Sequence, residues 1–132
     1  MKAAAALEEG KQRLRNKRWR EAEEILLQAL KFDNKLPDAY NLLARAQLRL
    51  GGKKAREALD NAKRAIMLDK ENAEYYLTLG SVYEAHEDYA KAEQNYKLAW
   101  SWDPQNENAR EALKDLRSKT RGNIFTRLLK KK

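Results

Sequence analysis

Apolar residues recur along the chain at the three- and four-residue spacing of α-helices, in stretches separated by short polar turns. The spacing predicts six helices, which form the pairs 3–16 and 19–32, 38–50 and 55–68, and 73–86 and 89–102. A seventh helix is expected over residues 107–119, where Leu113 and Leu116 give a thin apolar stripe and Asn106 stands at the N-cap. The chain is therefore predicted to be all-α.

The predicted helix pairs repeat in phase. Aligning Gly10 with Gly80 divides the chain into residues 3–36, 37–72 and 73–106, and the eighth residue of each segment is small. Alanine recurs at two later positions and aspartate at one, namely Ala22, Ala58 and Ala92, then Ala29, Ala65 and Ala99, then Asp33, Asp69 and Asp103. A glycine inside a helix costs about 1 kcal/mol relative to alanine. The recurrence of glycine at the eighth position, in segments one and three, therefore predicts a close helix crossing there.

This period resembles the tetratricopeptide repeat (TPR), a helix-turn-helix unit of about 34 residues. Segment three carries the family's residues most fully, at Tyr76, Leu79, Gly80, Tyr83, Ala92, Tyr96, Ala99 and Pro104. The resemblance implies a right-handed superhelical α-solenoid of three repeats, with residues 107–119 as a capping helix. Trp100 and Trp102, which close the third segment, are expected to pack under this cap.

Composition argues against catalysis. The 132 residues include 28 Lys or Arg and 20 Asp or Glu, for a net charge of +8, and no cysteine. The single histidine, His86, lies in a predicted turn without a second histidine to share a metal ion. Nucleotide-binding and hydrolase motifs are absent from the sequence. We therefore expect no enzyme, no cofactor, no metal and no small-molecule substrate. Because no apolar run is long enough to span a bilayer, we expect a cytoplasmic protein.

The resemblance also implies a binding surface, because the first helices of such repeats line a concave groove that holds an extended peptide or a helix. The family's groove-facing positions correspond here to Lys11, Leu14, Arg15, Asn41, Arg45, Leu48, Arg49, Leu77, Ser81 and Glu84. The first half of this groove is basic and the second half is mildly acidic. We expect a protein-protein interaction module or scaffold whose partner has acidic residues and one or two apolar anchors, with Asn41 bonding its backbone. The alternative is that these are ordinary solvated residues.

One subgroup of the family grips the acidic C-terminal tails of heat-shock chaperones with a set of lysine, asparagine and arginine side chains. That set is lysine, asparagine, asparagine, lysine and arginine in chain order. The corresponding residues here are Leu7, Lys11, Leu42, Glu74 and Thr78, and none of them is the residue that its position requires. We therefore do not expect this mode of binding.

Residues 120–132, TRGNIFTRLLKKK, form a basic segment that is either amphipathic or disordered. Gly122 is expected to end the capping helix. The side chains expected to make contacts are apolar residues on one helical face and neighbouring cations, namely Ile124, Phe125, Arg127, Leu128, Leu129 and Lys130. Three interpretations stay open, which are contact with an anionic membrane surface, docking on protein, and a frayed end. The alternative function is therefore a basic adaptor that contacts a membrane or nucleic acid through this segment.

Overall fold

The computed structural model describes residues 2–130, apart from the side chain of Phe125, and this part of the chain forms seven α-helices and no strand. The helices are α1 (Lys2–Arg15), α2 (Trp19–Phe32), α3 (Pro37–Leu50), α4 (Lys53–Leu68), α5 (Ala73–Ala85), α6 (Tyr89–Trp102) and α7 (Glu107–Lys130). The bounds of the first six lie within two residues of those predicted from the apolar spacing. The all-α prediction is confirmed.

The helices stack as a right-handed superhelical solenoid of antiparallel pairs. Each helix packs on the next one in sequence, and α1, α3, α5 and α7 also contact one another in that order. These odd-numbered helices form the concave inner layer, while α2, α4 and α6 form the outer layer. Successive cores lie along the stack, the first around Leu26 and Leu43, the second around Leu79 and Val82, and the third around Tyr96.

The inner turn of each repeat contains a residue with a positive φ. These residues are Lys17 (φ 60°), Gly51 (φ 72°) and Glu87 (φ 61°), which occupy the same place in the three repeats. This conformation costs a residue with a Cβ about 1–2 kcal/mol. Only the second repeat meets the requirement with glycine. The packing of the two helices therefore imposes the turn at Lys17 and Glu87 against local preference.

The turns between repeats are built from the aspartates that recur in the sequence. Asp33, Asp69 and Asp103 each accept a hydrogen bond from the backbone N–H two residues on, at 2.9, 3.1 and 3.2 Å. The side chains of Asn72 and Asn106 then accept from N–H groups in the first turns of α5 and α7, at 3.0 and 3.1 Å. The predicted N-cap at Asn106 is confirmed.

The small residue at the eighth position allows a large one on the facing helix. A Cβ added to Gly80 would lie 2.5 Å from two ring carbons of Tyr96, and one added to Gly10 would lie 2.6 Å from Leu26 Cδ2. In the second repeat the facing position is Ala62, and there the eighth residue is Ala44, which shares a core with it. The two positions therefore trade volume, as close-packed interiors require.

A buried polar cluster joins the first repeat to the second. The amide nitrogen of Gln47, which is 2% exposed, donates to the carboxylates of Glu23 at 3.2 Å and Glu57 at 3.0 Å. Its amide oxygen accepts from Asn61 at 2.7 Å. Lys54 lies 3.0 Å from Glu23, and the hydrogen bond to that carboxylate raises the pKa of Lys54 above its ordinary value. The cluster is satisfied internally, so these polar groups do not oppose the packing of α2, α3 and α4.

The expected end of the capping helix at Gly122 is wrong, because α7 continues to Lys130. Nothing lies within 4 Å of a Cβ placed on Gly122, so no neighbour interrupts the helix there. A helix that is already nucleated against the repeats adds further residues at small cost, and one glycine weakens this extension without stopping it.

The expected packing of Trp100 and Trp102 under the cap is also wrong, since these side chains are 41% and 47% exposed. The apolar stripe of α7 packs instead on Ala92 and Tyr96 of α6. The Trp100 indole N–H donates to the carbonyl of Pro104 at 3.0 Å, which holds the ring beside the turn rather than beneath α7.

Candidate binding groove

A cavity of about 500 Å³ opens on the concave side of the solenoid, where α1, α3 and α5 face it and α2 and α7 contribute one residue each. Its lining residues are Leu14, Trp19, Arg45, Leu48, Arg49, Glu74, Leu77, Thr78, Ser81, Ala85 and Asn108. A second cavity of about 380 Å³ continues it over α1 and is lined by Lys11, Leu14, Arg15, Leu42 and Arg45. These two connected linings are called the groove below.

The groove contains eight of the ten residues that the resemblance placed there. These are Lys11, Leu14, Arg15, Arg45, Leu48, Arg49, Leu77 and Ser81. Asn41 is not among them, because it is 6% exposed and lies inside the stack. Its amide oxygen is buried and makes no hydrogen bond within the described part of the chain. The proposed bond from Asn41 to a peptide backbone therefore does not fit its position in this structure.

Glu84 is also turned away from the groove. Its carboxylate accepts a hydrogen bond from the Tyr96 hydroxyl at 2.9 Å and lies 3.6 Å from the ammonium group of Lys119. Burial raises the pKa of Tyr96 above its ordinary value, so the hydroxyl stays protonated as a donor. The acidic half of the groove is thus reduced to Glu74, whose carboxylate accepts from the Asn106 amide at 3.0 Å.

The basic half of the groove keeps its charge available. Arg15, Arg45 and Arg49 are exposed and form no ion pair with any residue between 2 and 130. The guanidinium carbon of Arg49 lies 5.4 Å from the centroid of the Trp19 ring, a cation–π distance. Arg49 is therefore held over an aromatic face while its N–H groups remain accessible to a carboxylate.

An apolar floor lies beside these cations. Leu14 is 7% exposed and belongs to the first core, while Leu48, Leu77 and Trp19 are half-buried and reach both the core and the cavity. The groove therefore offers forked N–H donors next to apolar side chains. Such a surface can bind a carboxylate and an apolar side chain from the same short segment.

Six of the fourteen lining residues are not among the ten predicted, and Trp19 and Asn108 are two of these. Trp19 packs on the first core at the start of α2, and its ring also faces the cavity. Asn108 enters from α7, which was considered only as a cap. Continuing the repeat phase past residue 106 would have found it, because Asn108 then stands at the position of Glu74.

A further cavity of about 590 Å³ lies between α2, α3 and α4, and its lining includes Lys31, Asp60 and Arg64. Within residues 2–130 no group of three or more His, Cys, Asp or Glu side chains could hold a metal ion. The ring of His86 hydrogen-bonds the carbonyl of Ala55 at 3.1 Å, away from the cavity. The same range contains no helix that is long and apolar enough to cross a membrane.

A stack of antiparallel helix pairs with a concave inner layer defines a helical-repeat solenoid. Comparison with solved structures identifies the kind of solenoid. The chain has the tetratricopeptide-repeat fold. It is similar to the TPR domain of Arabidopsis OM64, with a TM-score of 0.81, 27% identity, and 89% and 95% of the two chains covered. It is also similar to the Sgt2 TPR domain from Aspergillus fumigatus, with a TM-score of 0.83, 18% identity, and coverage of 92% of this chain and 81% of that one.

A third similar structure is the first TPR domain of Spaghetti (RPAP3) bound to the HSP90 peptide SRMEEVD. It has a TM-score of 0.81 and 22% identity, and the match covers 90% of this chain and 93% of that one. No protein-family model and no curated protein matches the chain. The likeness is therefore one of fold.

Proposed function

We propose that the chain is a non-catalytic protein-interaction module that binds an extended peptide in the groove. The peptide carries acidic residues and one or two apolar anchors. The observation that carries this proposal is the placement of the unpaired cations of Arg45 and Arg49 beside the apolar floor of Leu14, Leu48 and Leu77. A carboxylate binds the forked N–H groups, and the neighbouring apolar side chain is removed from water on the floor.

Similar structures support a peptide as the ligand class. The Spaghetti domain is bound to the HSP90 peptide SRMEEVD, and the second TPR domain of human RPAP3, which is 20% identical to this chain, is in complex with the HSP70 peptide SGPTIEEVD. Both peptides end in EEVD, in which a valine stands among acidic residues. A methionine precedes EEVD in the first peptide and an isoleucine precedes it in the second. The same fold thus holds short acidic segments in other proteins, at a level of identity that conveys only the class of ligand.

The groove of this chain points to a different arrangement of charges. Of the residues at the chaperone-gripping positions, Leu42 and Thr78 are 7% and 6% exposed and Glu74 is acidic. Lys11 also occupies one of these positions, and its ammonium group lies 3.2 Å from Glu8, whereas Arg15, Arg45 and Arg49 lie elsewhere in the groove. We therefore infer that SRMEEVD itself binds weakly, because Glu74 would repel its carboxylates, and that the natural partner presents its acidic residues to α1 and α3.

The proposal is tested by selecting peptides from a phage-displayed library of short random sequences. The parent chain should enrich peptides in which Asp or Glu stands near a Leu, Ile, Val or aromatic residue. Arg45→Glu/Arg49→Glu should lose these peptides and enrich basic ones, since the charge that selects them is reversed. Arg20→Glu/Lys35→Glu is the matched control, because it makes the same change in net charge at exposed sites outside the groove.

Synthetic versions of the enriched peptides are then titrated by fluorescence anisotropy, with SRMEEVD in parallel. Each lost charge-assisted contact weakens binding by about 10-fold or more, which corresponds to about 1.5–3 kcal/mol. Enrichment of the same peptides by the parent and the Arg45→Glu/Arg49→Glu variant would exclude the groove as the binding surface. Tight binding of SRMEEVD that survives this double substitution would show instead that Glu74 and its neighbours do not prevent the chaperone mode.

A further inference from the structure

Helix α7 presents one straight stripe of exposed side chains along most of its length. Arg110, Lys114, Arg117 and Arg121 follow one another at spacings of four, three and four residues, so they lie on a single face. Ile124 and Leu128 continue the same face at spacings of three and four, and all six side chains are exposed. At 1.5 Å per residue the stripe is about 27 Å long. Only the continuation of α7 past Gly122 joins its basic and apolar parts.

This α7 stripe is open because of its place in the repeat. Its first three residues stand where Tyr76, Gly80 and Tyr83 stand in α5, the face of a first helix that packs on the second helix of its pair. Within residues 2–130 no helix follows α7. The helix is instead anchored to α6 by Leu113 and Leu116 on a different face.

The basic part of the stripe runs from Arg110 to Arg121 and contains four cations. Arg110, Lys114 and Arg121 form no ion pair with residues 2–130, and Arg117 lies 3.5 Å from Glu93. Of the acidic residues of α7, Glu107 and Glu111 lie beside the stripe, three residues before Arg110 and Lys114, and none follows Asp115 within the described helix. A negatively charged surface therefore meets cations over about three helical turns.

The apolar end of the stripe is exposed to solvent. All described side chains from Arg121 to Lys130 are exposed, and Ile124, Leu128 and Leu129 are 57%, 60% and 57% exposed. We propose that the α7 stripe binds the surface of an anionic lipid bilayer. The cations contact the phosphate groups of the lipids, while Ile124 and Leu128 enter the boundary between headgroups and acyl chains.

The linear order of the stripe favours a bilayer over other anionic partners. A flat surface touches the cations and the apolar residues at once, because they lie on one line of one straight helix. Nucleic acid would neutralise the cations, but its backbone would leave Ile124 and Leu128 exposed to water. Binding to a bilayer uses both parts, so it should depend on salt and also retain a component that salt does not remove.

Co-sedimentation with vesicles tests the proposal, using phosphatidylcholine alone and phosphatidylcholine mixed with phosphatidylglycerol, at low and at high salt. The parent chain should bind the anionic vesicles and not the neutral ones. Arg110→Gln/Lys114→Gln/Arg121→Gln should weaken this binding roughly 100-fold, at about 5-fold per cation. Arg20→Gln/Lys35→Gln/Lys70→Gln removes the same charge from exposed sites elsewhere and should change binding only a few-fold.

Ile124→Ser/Leu128→Ser tests the apolar part, and it should weaken binding at least 10-fold and abolish the portion that survives high salt. Far-UV circular dichroism confirms that each variant keeps its helices. Arg45→Glu/Arg49→Glu should still bind the vesicles, which separates this test from that of the groove.

Equal loss in the stripe variant and its charge-matched control would overturn the proposal, because net charge would then explain the binding. Vesicle binding that is unchanged in Ile124→Ser/Leu128→Ser would also overturn it. So would stripe-dependent binding of a short DNA duplex with no binding to anionic vesicles, since the partner would then be a nucleic acid.

Discussion

Replacing Gly80 with alanine tests the volume trade between the two helices of a repeat. The new Cβ would lie 2.5 Å from Tyr96 Cδ1 and from Cε1, and 3.3 Å from the Ala92 carbonyl oxygen. Carbon atoms in contact prefer about 3.5–4.0 Å, so the methyl group overlaps the ring by about 1 Å. The ring cannot retreat cheaply, because Tyr96 is 2% exposed and its hydroxyl donates to Glu84 at 2.9 Å.

Three contributions set the expected change in the free energy of unfolding. Overpacking costs about 1–3 kcal/mol, and a lost buried hydrogen bond from Tyr96 to Glu84 adds about 1 kcal/mol. The better helix propensity of alanine returns about 1 kcal/mol. We expect Gly80→Ala to lower the free energy of unfolding by about 2 kcal/mol, measured by urea denaturation with far-UV circular dichroism.

A second background isolates the contact. In Tyr96→Ala the facing position resembles Ala62 of the second repeat, whose partner is Ala44, so adding Gly80→Ala should now be neutral or stabilising by up to about 1 kcal/mol. Gly122→Ala is the matched control, because nothing lies within 4 Å of its Cβ, and it should lose no stability. An equal cost of Gly80→Ala in both backgrounds would refute the argument, as would a Gly80→Ala variant as stable as the parent.

Three further substitutions probe other features, each followed by urea denaturation. Glu87→Gly should raise the free energy of unfolding by about 1 kcal/mol, because it removes a left-handed residue with a Cβ; a loss of stability would show that the turn is not strained. Gln47→Leu should lower that free energy by about 1–3 kcal/mol by depriving the buried Glu23 and Asn61 of a partner, and a neutral result would mean that water replaces the amide. The hydrogen bond to Lys97 is the main cause of a lowered pKa at Glu93. The stability that Glu93 contributes is therefore present above its unfolded-state pKa and is lost as the pH falls through its folded-state pKa. Glu93→Gln should therefore cost less than about 1 kcal/mol near pH 7 and less still as the pH falls below the unfolded-state pKa, whereas an effect that grows towards low pH would contradict this assignment.

The candidate groove could be predicted in large part from the sequence, because a repeat fixes which helix faces point inward. Arg45 and Arg49 are one helical turn apart on the inner face of α3, and the phase of the repeat alone places them there. Asn41 shares that face, yet it is buried, because its exposure depends on how α3 packs against α1 and α5 rather than on helical period. Glu84 was displaced from the groove by Tyr96 and Lys119, whose positions follow from the packing of α6 and α7.

The sequence by itself determined the helices, their pairing and the three-fold repetition, since helical period, N-caps and the small residue at each crossing are all local patterns. Only the tertiary structure decided what happens where the repeats stop. Trp100 stands at the repeat position of Leu30 and Ile66. Those two side chains are partly buried against the first and second cores, whereas Trp100 is 41% exposed. Gly122 reads as a stop in the sequence, but α7 passes through it because nothing packs there to interrupt the helix. Whether a side chain is buried at such a boundary depends on neighbours distant in sequence, and local patterns carry no information about them.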